Sequence, residues 1–290
     1  MAIEAKDRGR EELRAARKQS RSYFWFVGIF SFFVNMLLLT GPMYMLQVYD
    51  RVLGSRSVET LVALSVLVLF LYAMMGLLDY VRGRVMGRVA ARFQATLDLR
   101  VFDAVLRRSA VKPDQIARSG LRDLESVQRL MASPVLMAFF DIPWTPVFIF
   151  AIFIFHPWLG LLACAGGLVL VLVTVVNQTM TRNPMAKANQ AIVQAEMTAN
   201  QIRDEAEMVQ ALGMRGNAFQ RWIGARKSSL SGQLGSSDLT GTFTVITKTF
   251  RLFLQSAMLG LGALWVLRGE LSPGAMIAGS ILMGRALAPI

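Results

Sequence analysis

Residue types that do chemistry are scarce in this 290-residue chain. Its one histidine, His156, stands in the break "FHPWLG", and its one cysteine, Cys164, lies inside an apolar run. A nucleophilic triad, a histidine general base or a histidine-rich metal site needs partners that His156 lacks. One thiol builds neither a disulfide nor a cysteine metal site within the chain. His156 beside Trp158 therefore reads as an interfacial side chain at headgroup level. Two acidic features remain. Asp141 sits in "FFDIPWTP", an acid in an apolar stretch followed at once by Pro143 and Pro146. Asp50, Arg51, Arg56 and Glu59 crowd into "MLQVYDRVLGSRSVETLVAL", four charges with no net sum between two apolar runs. A Gly-Lys pair, needed for a phosphate-cradling loop, occurs nowhere.

The composition identifies the elements that hold these residues. With 54% hydrophobic and 17% charged residues, the chain is too apolar for an ordinary soluble domain and reads as a membrane protein. Its net charge of +12 would suggest nucleic acid in a soluble protein. The distribution argues otherwise. Seven Lys and Arg residues lie in 1–21, eleven between Asp79 and Ser133, and nine between Arg182 and Arg251. Basic blocks alternating with apolar runs are the positive-inside signature, with no nucleic-acid partner.

A span needs ~20 apolar residues at ~1.5 Å each to cross ~30 Å of hydrocarbon. Ser22–Tyr49 and Thr60–Leu78 meet that need, so the four-charge turn between them is a hairpin tip on the far side of the membrane. Pro134–Phe155 and Trp158–Val176 form a second hairpin around "HPW". Leu252–Leu267 and Gly274–Ile290 form a third around "RGELSPG". The intervening segments of 55 and 70 residues, Asp79–Ser133 and Arg182–Arg251, carry helical spacing and few prolines, which predicts long helices running out of the bilayer. Each contains an expected reversal. In "KPDQIARSGLRDLESVQRLMASP", Pro113 ends a helix and Ser119-Gly120 can break the chain; in "RDEAEMVQALGMRGNAFQRW", Gly213 and Gly216 follow an acidic patch. Gly213, Gly216, Gly232, Gly235 and Gly241 are expected to interrupt the second extension. On local sequence alone, a solvated turn and a docking surface are both open for the two reversals.

The phrases "GPMYMLQVYDRVLGSRSVETL", "FFDIPWTPVFIFAIFIFHPWLG", "AEMVQALGM" and "GSILMGRALAPI" resemble the transmembrane domain of type I secretion ABC exporters. Only about 21 mostly charged residues precede the first span, whereas hemolysin-type exporters carry a peptidase-like domain there, so the resemblance favours the PrtD-like branch. The implied fold is an all-α membrane protein, with six transmembrane helices of the type I exporter fold and long cytoplasmic helical extensions. Residues 1–21 would be a basic cytoplasmic segment and 22–290 the transmembrane domain, its sixth helix cut and its nucleotide-binding domain absent.

That resemblance implies that the reversals couple the spans to the nucleotide-binding domain, through Gly120, Leu121, Arg122 and Asp123 in the first and Glu207, Gln210, Leu212, Gly213 and Met214 in the second. It assigns this chain no catalytic residue, metal or cofactor, and it places ATP and Mg on the missing domain. It further implies a homodimer in the bacterial inner membrane, surrounded by membrane lipid, with its N-terminus cytoplasmic. The implied partners are a periplasmic membrane fusion adaptor, an outer-membrane tunnel protein and a secreted polypeptide substrate, unfolded and of the RTX protease or lipase class. Asp141 either anchors its bent helix against another span or lines the inward mouth of the translocation path. A polytopic scaffold or a secondary transporter is the alternative in a different class.

Overall fold

The computed structural model describes residues 22–111 and 115–289, and those residues are almost entirely helical. Eight helices follow in chain order: α1 (Ser22–Ser55), α2 (Val58–Val111), α3 (Gln115–Met131), α4 (Pro134–Phe155), α5 (Pro157–Asp204), α6 (Ala206–Ala211), α7 (Arg215–Leu267) and α8 (Pro273–Ala286). Five of them, α1, α2, α4, α5 and α7, are long and apolar enough to cross a membrane. The sixth expected span begins as α8, whose 14 residues reach ~21 Å.

The helix boundaries have local causes. Arg56 adopts a left-handed conformation, φ 52°, which ends α1. Ser57 then caps α2 by accepting from the Thr60 amide at 3.2 Å. Ser133 is extended and Pro134 opens α4; likewise His156 is extended, φ −163° and ψ 134°, and Pro157 opens α5. Proline suits a first helical turn, because it gives up an amide that has no partner there. Within α4, Pro143 and Pro146 fall at and just after a 3-10 turn, Ile142–Trp144.

α2 is one uninterrupted helix of 54 residues, as its freedom from proline predicts, and it spans roughly 80 Å. Two expectations for the extensions are corrected. Ser119 and Gly120 do not break the chain: both lie inside α3, a 17-residue helix. A Cβ at position 120 would come 2.6 Å from Val105 Cγ2, so this glycine serves close packing of α3 on α2. Leu124 and Leu97 are buried at that contact, against Phe93 and Val101. Of the five glycines expected to interrupt the second extension, only Gly213, φ +64°, lies at a break. α7 runs unbroken through Gly216, Gly232, Gly235 and Gly241. A helical glycine costs ~1 kcal/mol, which tertiary packing overrides.

The described residues form two compact units, one running to Gly160 and including Leu259–Pro289, the other Leu161–Met258. In the second unit α5 and α7 form an antiparallel hairpin. Gly166 faces Leu254, and Ala188 faces Gly232, with the Ala188 Cα only 3.4 Å from where a Cβ on Gly232 would lie. Small residues line this seam, with Ala188, Ala195, Ser229 and Ser236 buried, and they let the two backbones approach. In the first unit α8 is the most enclosed helix: Ala275, Ala278, Leu282, Met283 and Ala286 are all buried.

Candidate functional site

Three places in the structure gather polar or exposed apolar side chains: the two reversals and a charge cluster among the spans. At the first reversal α3 turns its apolar stripe to α2 and leaves Leu121, Arg122, Asp123 and Val127 exposed. Ser119 Oγ donates to Asp123 Oδ2 at 2.9 Å, and Arg129 pairs with Glu125 at 3.0 Å, so the outer face is braced along its own helix. Gly120 is half-buried beneath that face.

The second reversal is a one-and-a-half-turn helix, α6, closed by a Schellman motif. The Met214 amide donates to the Val209 carbonyl at 2.9 Å and the Gly213 amide to the Gln210 carbonyl at 3.1 Å. That pairing needs a left-handed residue, and glycine takes it without a Cβ penalty. Glu207, Gln210, Leu212, Gly213 and Met214 are all exposed, and Met208 and Leu212 expose 60% and 64% of their surface. Beside the tip, the Phe219 and Trp222 rings lie tilted at 44° with centroids 6.0 Å apart, and they share with Val209, Gln210 and Arg215 a groove of about 440 Å³.

The charge cluster centres on Arg82. Its Nη1 donates to Asp141 Oδ1 and to Ser31 Oγ, both at 2.9 Å, and its Nη2 lies 2.8 Å from Asp79 Oδ1. Asn35 Nδ2 donates to the same Asp141 oxygen at 2.7 Å and to the Ser31 carbonyl at 2.8 Å. Ser31, Asn35 and Arg82 are buried. Asp141 therefore joins α4 to α1 and α2, and 26% of its side chain remains exposed. Sequence reasoning finds Asp141 and misses its three partners. Ser31 and Asn35, four apart in an apolar run, put two polar groups on one face of α1. Arg82 is hidden among the basic residues of the extension.

At the opposite ends of the spans the three hairpin turns meet. Asp50 Oδ2 accepts from Ser272 Oγ and its Oδ1 accepts from the Gly274 amide at 2.9 Å. His156 is buried on Trp265, with ring centroids 4.3 Å apart, and its Nε2 lies 3.7 Å from Glu270 Oε2. The four-charge turn is thus a half-wet contact surface, with Asp50 tied to another turn. Among the described residues no group of three or more His, Cys, Asp or Glu could hold a metal ion.

A family model, the ABC transporter transmembrane region, matches residues 24–288. The chain belongs to that family. It is 39% identical over 281 residues to the type I secretion system ATP-binding protein PrsD of Rhizobium meliloti, covering 95% of this chain and 48% of PrsD. It is 25% identical over 280 residues to the leukotoxin translocation ATP-binding protein LktB of Mannheimia haemolytica, and equally to that of Bibersteinia trehalosi, covering 90% of this chain and 38% of each. The chain spans about half of PrsD's length, or less in the case of LktB. Over the ABC transporter transmembrane region it is thus similar to proteins named for type I secretion and for leukotoxin translocation, as its phrases suggest. In this ABC transmembrane region α1, α2, α4, α5 and α7 are the five long apolar helices, and the 14-residue α8 follows them.

Proposed function

We propose that this chain is the membrane-spanning half of an ATP-driven exporter that moves unfolded polypeptides of the RTX protease or lipase class across the inner membrane. The observation that carries the reading is the second reversal, which exposes Met208, Leu212 and Met214 on a rigidly closed tip at the far end of helices of 48 and 53 residues. Exposed apolar side chains rimmed by charge mark a protein contact. Here the partner is a nucleotide-binding domain holding ATP and Mg, contacted by Gly120, Leu121, Arg122 and Asp123 in one reversal and by Glu207, Gln210, Leu212, Gly213 and Met214 in the other. Closure of that domain pulls on α2, α5 and α7 as rigid levers.

In this reading the extensions and the N-terminus lie in the cytoplasm, the hairpin turns lie outside, and two copies build the path. An adaptor in the periplasm and an outer-membrane tunnel complete the route. Asp141 stays a candidate for the inward mouth of the path as well as an anchor, because its exposed part adjoins a carboxylate oxygen already held by Arg82 and Asn35.

Binding of the separately expressed nucleotide-binding domain of the same exporter tests the reading. Arg122→Glu and Glu207→Lys should each weaken recruitment by roughly tenfold while leaving the spans folded. Equal binding by parent and variants would remove the reversals from the contact. Topology has its own check in a Cys164→Ser background. Cysteines introduced at Ser55, Pro157 and Gly269 should react with an impermeant thiol reagent in spheroplasts, and one at Ser228 should not.

A further inference from the structure

We propose that Asp50 and the N-terminus of α8 form a releasable latch that holds the turn end of the spans closed. Both carboxylate oxygens are committed to the first turn of α8, one to the Ser272 hydroxyl and one to the Gly274 amide. Ser272 Oγ meanwhile accepts from the Ala275 amide at 3.1 Å, so the acid and the N-cap act as one unit on the free amides of the helix start.

Two independent features show that the contact is built into both helices. On the α1 side, Asp50 sits in a π-helical turn, Val48–Val52, a rare insertion that redirects side chains and recurs at functional sites. On the α8 side, a Cβ at position 274 would come 2.6 Å from Asp50 Oδ1 and 2.8 Å from the Leu46 carbonyl oxygen. Only glycine lets α8 approach α1 this closely. Below the latch α8 offers small and apolar buried residues, so the latch is the polar closure over an otherwise apolar seam.

Exposure makes the contact reversible. Asp50 is exposed and Ser272 is half-buried, so on release water replaces their hydrogen bond at little cost, and the buried Gly274 amide regains water as α8 moves off α1. His156, stacked on Trp265 and near Glu270, ties the same turn to α4 and α5 through a separate contact. The inference rests on the export reading only for its purpose, since a path for a polypeptide must open at this end.

Asp50→Cys and Ser272→Cys, combined in a Cys164→Ser form of the whole protein, put sulfurs where carboxylate and hydroxyl now touch. Oxidation with copper phenanthroline should cross-link them within one chain and cut secretion about tenfold, and dithiothreitol should restore it. A second arm needs no transport. A cysteine replacing buried Ser280 should react about fivefold faster with an impermeant thiol reagent when Asp50→Ala is added. The latch is overturned if no intramolecular cross-link forms, if fully cross-linked protein secretes like the parent, or if Asp50→Ala leaves Ser280→Cys labelling unchanged. Should the Cys164→Ser parent fail to secrete, the export reading falls and the labelling arm still decides the latch.

Discussion

The two polar contacts that tie spans together differ in one physical respect, access to water. Around Arg82 the guanidinium is enclosed: Ser31, Asn35 and Arg82 are buried, and the guanidinium bridges Ser31 and two acids that reach water in part, Asp141 at 26% and Asp79 at 57% exposure. Around Asp50 the carboxylate is exposed, and its partners are a hydroxyl and one backbone amide. Removing one partner from a buried pair strands a charge that water cannot reach, whereas breaking an exposed contact returns its groups to solvent. A contact of the first kind resists opening; one of the second kind opens at lower cost.

The largest effect should come from removing the buried guanidinium. Arg82→Ala leaves the part-buried Asp141 without its counter-ion and vacates the space between Ser31 and Asp141, and it should cost about 2–4 kcal/mol, seen as loss of monodisperse protein after detergent extraction. Arg82→Met combined with Asp141→Leu should extract better than Arg82→Ala alone, because no unpaired charge remains on that bridge. Extraction of Arg82→Ala at parental yield would break the comparison outright.

Asp141 sharpens it next. Asp141→Leu takes the shared acceptor from Arg82 and Asn35, which keep Asp79 and Ser31 as partners, and should cost about 1–3 kcal/mol of folded yield. Asp141→Asn keeps an oxygen acceptor for both and should insert normally. Secretion by the Asn variant then separates two roles: near-normal export fits an anchor, and reduced export with normal insertion fits a residue on the path.

At the turn end the expected costs are smaller. Asp50→Ala removes one exposed and one part-buried hydrogen bond, and folded yield should change by about 1 kcal/mol. A collapse in yield comparable to that of Arg82→Ala would make Asp50 a structural joint as well. His156→Ala removes a ring stacked on Trp265 and should cost about 0.5–1.5 kcal/mol, read as a fall of a few degrees in the thermal midpoint. Its effect on secretion should be smaller than that of oxidising the double variant Asp50→Cys, Ser272→Cys.

Helix boundaries are legible wherever a residue's own backbone chemistry decides them. Pro134, Pro157 and Pro273 each open a helix, and Gly213 and Gly269 take the positive φ that a Schellman ending requires. Glycines whose role depends on a neighbour are not legible in this way. Gly120 and Gly232 read as breaks and are contact points, because the reason for a missing Cβ lies on another helix. His156 reads as a lone interfacial ring and is instead packed between turns.

The sequence alone determined the order of the five long apolar helices, the unbroken run of α2 and the basic blocks between the spans. Each follows from local hydropathy, charge and backbone preference, which need no partner. Tertiary structure alone decided which polar residues meet. Asn35 reaches Asp141 across 106 positions and Asp50 reaches Ser272 across 222. Helical periodicity puts a residue on a face but does not say which face of which helix it will touch. That pairing follows from how the helices pack, and with it comes the burial that makes one contact resist opening and lets the other open at lower cost.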